Sequence, residues 1–254
     1  CEFLIFDETL ISSLVLADME GVAPVETTGQ VRWYKRPTPG HTYMVSLDPS
    51  MGTGGDYAAI QVFELPTFEQ IGEWQHNQTP MNQQVRILQG INKHIHDTIM
   101  EKDATATPQI FYSMENNSIG EAALMRVMDI GEENIQGMFL SEPIRKGHRR
   151  KFRRGFNTTA KHKIDACTKF KELIENNKMK IHSQLLISEL KDFVASGMSF
   201  KAKPGQHDDL VSACLLMTRM MKVLADFDPK IFERWTDRSS EMTTPMPIFG
   251  NFYG

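Results

Sequence analysis

The sequence predicts an α/β protein built as a mixed sheet flanked by helices, and three observations carry that prediction. Between residues 42 and 76, apolar runs are separated by short connections containing glycine or proline, the pattern of an antiparallel meander. From Pro80 to Lys102 the apolar period lengthens from two to near 3.6. A strand, helix, strand alternation then follows between Pro108 and Leu140.

Residues 1–40 read as a weakly patterned lead-in. A short helix is expected over about Asp7 to Met19, with Leu10, Leu14 and Leu16 as its apolar positions, and GQVRWYKRPTPG reads as a strand ending in a Pro-rich turn. The chain opens on Cys1 rather than methionine, so this stretch is expected to be a linker within something longer. Residues 41–225 carry the expected domain. Its first strand (Tyr43, Met44, Val45) delivers Asp48 to its end, a glycine-rich turn leads into a second strand from Tyr57 to Leu65, and FEQIGEWQH (Phe68–His76) supplies a third. Thr79 is the expected N-cap of the first long helix, whose buried face holds Val85, Leu88, Ile91, Ile95 and Ile99. PQIFYSMENN reads as a strand ending on Glu115, Ser118 opens a helix, and Ile135 to Leu140 reads as another strand. Beyond a basic stretch come an amphipathic helix (Thr159–Asn176), a short strand in MKIHS, a helical segment (Gln184–Val194) and a strand-like MSFKAKPGQ. The last helix is HDDLVSACLLMTRMM, with Leu210, Ala213, Leu216 and Met217 on its apolar face. Pro229, Pro245, Pro247 and Gly250 mark residues 226–254 as a C-terminal tail.

At 254 residues and 41% hydrophobic content the chain can bury one large core. Its net charge of −4 argues against global attraction to nucleic acid, so any such role must rest on local charge. Three widely spaced cysteines, without C-x-x-C spacing, fit a reducing intracellular setting better than a zinc site or a disulfide framework. No apolar run approaches the roughly 20 residues that span a bilayer, and no membrane partner is expected.

Charge is distributed unevenly. Between Arg145 and Lys163, nine lysines and arginines fall within nineteen residues with no acid among them: Arg145, Lys146, Arg149, Arg150, Lys151, Arg153, Arg154, Lys161 and Lys163. Such density repels itself unless a polyanion lies across it, so this loop is the expected DNA-backbone contact; a solvated loop is the plainer alternative.

The acids make a second set. Asp48 and Glu115 each end an apolar strand, and Asp208 and Asp209 open the last helix behind His207. An Asp before Pro can simply start a turn, and one acid at a helix start can simply cap it. Two acids in succession exceed what a cap requires. If the first and fourth strands of the domain are neighbours and the last helix packs across them, these carboxylates converge. Converging carboxylates repel, and a hard divalent cation bound by oxygen relieves the repulsion.

Together SLDPSMGTGGDYAAIQV, YSMENNSIGEAAL, GFNTTAKHK and HDDLVSA resemble the nuclease domain of the large terminase subunit of tailed bacteriophages, over about His41 to Val223. The resemblance implies a ribonuclease-H-like fold and a Mg²⁺- or Mn²⁺-dependent endonuclease that cuts concatemeric viral DNA during packaging, using two metal ions. It assigns Asp48, Glu115 and one of Asp208 and Asp209 as catalytic metal ligands. Asp209 is preferred, although packing of the helix leaves either possible. It also suggests accessory roles for Asp56 and for His207. Implied partners are double-stranded DNA, an ATPase domain earlier in the same full-length chain, a portal protein and a small terminase subunit, at the procapsid in the host cytoplasm. The chain contains no G-x-x-x-x-G-K-S/T phosphate loop, so it is not itself the motor. Two alternatives stand beside this reading: DPSMGTGGDY as a phosphate-cradling loop of the sugar-kinase and actin-like kind, and a non-catalytic DNA clamp using the basic loop alone.

Overall fold

A computed structural model describes residues 8–146, 149–152 and 154–227, of which 144–146, 149–152 and 227 are described by backbone alone. The chain opens with α1 (Ser13–Asp18), capped by Ser12, and β1 (Glu26–Thr28) and β2 (Val31–Trp33) form a hairpin. The helix is shorter than the periodicity suggested, and the lead-in is part of the fold. Both β1 and β2 join the main sheet, and Leu10, Ile11 and Leu16 are buried.

The meander is β3 (Thr42–Asp48), β4 (Ala58–Leu65) and β5 (Glu69–His76), antiparallel throughout. The long helix α2 (Met81–Lys102) follows, and then β6 (Gln109–Met114), α3 (Ser118–Ile130) and a short β7 (Met138–Phe139). The expected strand over Ile135–Leu140 thus shrinks to two residues. Thr79 does not cap α2: the N-cap is Pro80, without a side-chain bond, and the Thr79 hydroxyl lies 2.7 Å from His76 Nδ1. The main sheet has seven strands in the order β1-β2-β5-β4-β3-β6-β7. At its centre β3 runs antiparallel to β4 and parallel to β6, with Leu47 opposite Met114.

The basic stretch is not a plain loop. Its backbone forms a separate hairpin of β8 (Pro143–Lys146) and β9 (Arg149–Phe152). After it come α4 (Ala160–Glu175), capped by Thr159, and α5 (Gln184–Asp192), capped by Ser183. The expected MKIHS strand is absent. Its Lys180 makes only an isolated bridge to Glu69, because the buried Gln70 side chain takes up the next backbone donors, the N–H groups of His182 and Ser183. A second small hairpin, β10 (Phe193–Ser196) with β11 (Ser199–Ala202), precedes α6 (Asp209–Phe227). The helix runs through Asp226, where the tail was expected to begin, and residues 228–254 lie outside the described residues.

Side-chain alternation sorts the core onto the two faces of the sheet. Tyr43, Val45 and Leu47 of β3 and Ile110, Tyr112 and Met114 of β6 pack with Val85, Leu88, Ile91 and Ile95 of α2. Met44 of β3 and Ala59 and Phe63 of β4 face the other way, into the cluster formed with α4, α5 and α6. Ser46, on that same face, donates its hydroxyl to the Ala213 carbonyl of α6 at 2.8 Å. The next residue of this parity on β3 is Asp48, and on β6 the corresponding residue is Glu115.

Candidate functional site

Strand parity and register bring Asp48 and Glu115 together. Leu47 and Met114 are register partners on parallel strands, and the Glu115 N–H donates to the Leu47 carbonyl at 3.1 Å, so the two acids leave the sheet side by side. Two glycines permit this crowding around Glu115. A Cβ on Gly120, in the first turn of α3, would stand 1.8 Å from the Glu115 carbonyl oxygen. Gly155 has a φ of +68°, and its Cβ would meet the Met114 carbonyl at 2.8 Å. The latter contact lets Phe156 bridge to Glu115, which places the foot of the β8–β9 hairpin beside the acids.

Asp48 and Glu115 line a cavity of about 150 Å³ together with Thr158, His162, Lys163 and Arg219. Burial drives the Asp48 carboxyl well above the usual carboxylate range, and Glu115 adds to this through its charge and a hydrogen bond, followed by the charges of Asp209 and Asp208. Asp209, 15% exposed, is pushed up to about 6 by burial and then by Asp208 and Asp56, while His207 and the Tyr57 N–H draw it down.

The other expected residues divide. His207 Nδ1 is 3.7 Å from Asp209, and the exposed Asp56 reaches that acid only through its charge. Asp208 accepts from the Ala202 N–H at 3.2 Å and lies 3.9 Å from Lys163. Lys163, expected on the DNA-facing loop, therefore belongs to the acidic cavity, with its ammonium 5.6 Å from the centre of the Phe193 ring. Lys161 is exposed, and Arg154 pairs with Glu132 at 2.7 Å. Arg145, Lys146, Arg149, Arg150 and Lys151 lie on the hairpin strands, and Arg153 falls outside the described residues. Among the described residues, no group of three or more His, Cys, Asp or Glu stands ready to hold a metal ion. Asp48 and Glu115 share the cavity, while Asp208 and Asp209, at the start of α6, act on Asp48 through their charge.

Three groups carry no simple signal in the sequence. Arg219 is the single charge on the otherwise apolar stretch from Leu210 to Met221, which is the one hint it offers. It donates to Glu142 at 2.7 Å, to the Asn157 carbonyl at 3.1 Å and to Thr158 at 3.0 Å, and stacks over Phe156, clasping α6 to the hairpin's foot. Glu142 precedes the hairpin in a stretch with no pattern to single it out. Glu189 is half-buried on α5, where it accepts from Gln75 at 2.8 Å and from the Val211 N–H at 3.1 Å. Burial pushes its carboxyl up to about 8 against the pull of those two bonds, and Asp209 adds to the rise.

The glycine-rich turn does not present a phosphate cradle. Gly54 donates its N–H to the Asn77 carbonyl at 2.8 Å, Gly52 to the Ser50 hydroxyl at 3.3 Å, and Ser50 to Gln84 at 3.2 Å, so these N–H groups are directed into the protein.

Comparison with known proteins agrees with this architecture. A family model described as the Terminase RNaseH-like domain matches residues 45–220. The large terminase nuclease of thermophilic phage G20c with bound magnesium superposes with a TM-score of 0.61 at 16% identity, covering 84% of this chain and 97% of that one. The same nuclease with bound cobalt gives the same values. The large terminase nuclease domain of Thermus phage P74-26 gives a TM-score of 0.54 at 16% identity, with 80% and 92% covered. With a mixed sheet that carries Asp48 and Glu115 on adjacent parallel strand ends, a helix that opens on Asp209, and a family match spanning both, this chain belongs to the terminase RNase H-like domain family.

Proposed function

We propose that this domain is a Mg²⁺- or Mn²⁺-dependent endonuclease that cuts concatemeric double-stranded viral DNA during genome packaging. The observation that carries the reading is the half-buried Asp48–Glu115 pair lining one cavity, at the sheet end where the start of α6 brings Asp208 and Asp209. Four acids at one end of a sheet are a costly arrangement in the absence of a cation. Their donor atoms are all carboxylate oxygens, the chemistry suited to Mg²⁺ or Mn²⁺. Asp48, Glu115 and Asp209 would hold the metal, Asp208 would be the alternative helix-borne ligand, and Asp56 and His207 would tune Asp209 from its edge. When bound, a pair of such ions lowers the pKa of water and stabilises the leaving oxygen of a phosphodiester.

The remaining roles fall to groups of this chain. Lys163 sets a positive charge beside the acids, where it offsets the negative charge of an approaching backbone phosphate. Arg219 holds Thr158 and the foot of the basic hairpin against α6. The hairpin's lysines and arginines contact phosphates and not base edges, so cutting has little sequence preference. Residues 1–40 then follow an ATPase domain of the same full-length chain, and the portal protein and small terminase subunit are partners at the procapsid in the host cytoplasm. The G20c nuclease structures with bound magnesium and with bound cobalt support a divalent metal at a site of this family.

Incubating the purified protein with supercoiled plasmid tests the proposal. Nicking and then linearisation are expected in Mg²⁺ or Mn²⁺, none in excess chelator, and background activity only for Asp48→Asn. Undiminished cutting in chelator, or an Asp48→Asn variant within a few fold of the parent, refutes it.

A further inference from the structure

We propose that Glu189 is a positioning residue that caps α6 from the neighbouring helix and thereby frees Asp208 and Asp209 to face the site. The inference rests on the metal-dependent reading above, because it concerns how two of that site's ligands are held.

The first N–H groups of a helix have no intrahelical partners, and an Asp at the helix start ordinarily turns its own carboxylate back onto them. The first turn of α6 has two acids available for this task. The Ser212 N–H closes that turn on the Asp208 carbonyl at 2.8 Å, which puts Asp208 in the capping position. Its carboxylate nevertheless points elsewhere, accepting from Ala202 of β11 at 3.2 Å and standing 3.9 Å from Lys163. The Asp209 carboxylate stands 3.7 Å from His207 Nδ1. The Val211 N–H, one of the turn's donors without an intrahelical partner, is satisfied by Glu189 at 3.1 Å.

Glu189 is itself tied to the strand system that carries Asp48. Gln75 donates to its other oxygen at 2.8 Å, Gln75 is the register partner of Ala59, and Ala59 is the register partner of Asp48. A row across three strands, Asp48, Ala59 and Gln75, thus continues through Glu189 into the turn that carries Asp208 and Asp209. Ala59 is fully buried and small, which lets α6 pack down on the row. The far end of α5 is equally fixed. Its cap Ser183 donates to the buried Glu73 at 2.7 Å and accepts from Leu186 at 3.0 Å, and Gln70 accepts the Ser183 N–H at 2.9 Å. Without Glu189, the Val211 donor would draw on the carboxylate of the capping residue Asp208, which could answer it only by leaving Ala202 and Lys163.

Mn²⁺ affinity, measured on the full chain by counting free Mn²⁺ with electron paramagnetic resonance, separates positioning from mere stability. Glu189→Ala is expected to bind Mn²⁺ about tenfold more weakly than the parent, the scale of a lost group that orients ligands. Glu189→Gln, which keeps an oxygen acceptor at the same reach, is expected within about twofold of the parent on that same scale. Val85→Ala, a core truncation on the opposite face of the sheet, is expected to lower the melting temperature and leave Mn²⁺ affinity unchanged. Parental Mn²⁺ affinity in Glu189→Ala, or an equal loss in Val85→Ala, overturns the inference. If Glu189→Ala does not fold, Glu189→Asp replaces it: the charge is kept and the reach lost, so weaker binding than in Glu189→Gln is expected, and equal affinities overturn the inference. Mn²⁺ binding by the parent that Asp48→Asn abolishes but Glu189→Ala leaves intact removes this inference alone. Absence of Asp48-dependent Mn²⁺ binding in the parent removes the metal reading as well.

Discussion

Asp209→Asn should make the metal-free protein more stable while disabling it. An unperturbed Asp ionises near 3.9, whereas Asp209 is pushed up to about 6, by burial first and then by Asp208 and Asp56. The raised value means that the folded state favours the protonated acid. Below about pH 4 the group is protonated in both folded and unfolded chains and costs nothing. Between that point and about pH 6 the unfolded chain ionises first, so stability falls as pH rises, and above pH 6 the full penalty stands. That penalty is about 3 kcal/mol, from 1.36 kcal/mol for each pH unit between the two values. At 15% exposure the side chain is only modestly screened by solvent. Asn removes the charge and keeps an oxygen acceptor. In chelator at pH 8, a gain of roughly 2 to 3 kcal/mol corresponds to a melting temperature higher by about 4 to 12 °C for a domain of this size. At pH 4.5 most of the gain should vanish. Calorimetry at both pH values, with and without Mn²⁺, measures it, and added Mn²⁺ should raise the parent's melting temperature more than the variant's. A variant no more stable than the parent at pH 8, or a gain equal at both pH values, refutes the electrostatic reasoning.

Ca²⁺ should support DNA binding without cleavage, because its larger radius and looser coordination do not enforce in-line geometry; brisk plasmid cutting in Ca²⁺ alone would contradict this. Replacing Arg149, Arg150 and Lys151 by alanine should weaken DNA binding at low salt and reduce the slope of log affinity against log salt by about 0.9 for each lost phosphate contact. An unchanged slope in a filter-binding series would place the DNA elsewhere. Glu115→Ala should leave that Ca²⁺-supported affinity nearly intact and reduce cutting to background, whereas a pure clamp would cut nothing even as the parent. Arg219→Ala should cost roughly 2 to 4 kcal/mol in a urea titration, since it leaves the shielded Glu142 without its closest cation, and should increase tryptic cleavage within residues 145–154. Parental stability and proteolysis would show that the clasp does not hold the hairpin.

The mixed sheet and its chemistry were legible locally. Strand and helix periods separate cleanly between Thr42 and Met114, and alternation along β3 and β6 already places Asp48 on the Ser46 face and Glu115 on the Ser113 face. The HDDLVSA stretch shows acids at a helix start, and its resemblance to the family held across residues 45–220. What lay beyond local reading were the links between distant segments. Lys163 reads as one more charge in a basic run, yet α4 turns it into the acidic cavity, because its place on the helix and not its neighbours in sequence sets its surroundings. The basic stretch pairs as a hairpin whose two strands hold five basic residues and only Pro143, Ile144 and Phe152 at their outer ends, so no hydrophobic alternation announces it. MKIHS looks like a strand, but the side chain of Gln70 takes its backbone donors. Glu189 reads as an ordinary helix glutamate. Only the packing of α5 against α6 sets it against Val211, whose N–H at a helix start requires an acceptor that a residue 22 positions away supplies. The residue types that can hold a metal are therefore written in the sequence; which of them meet, and which are free to point inward, is decided by register and by caps supplied across helices.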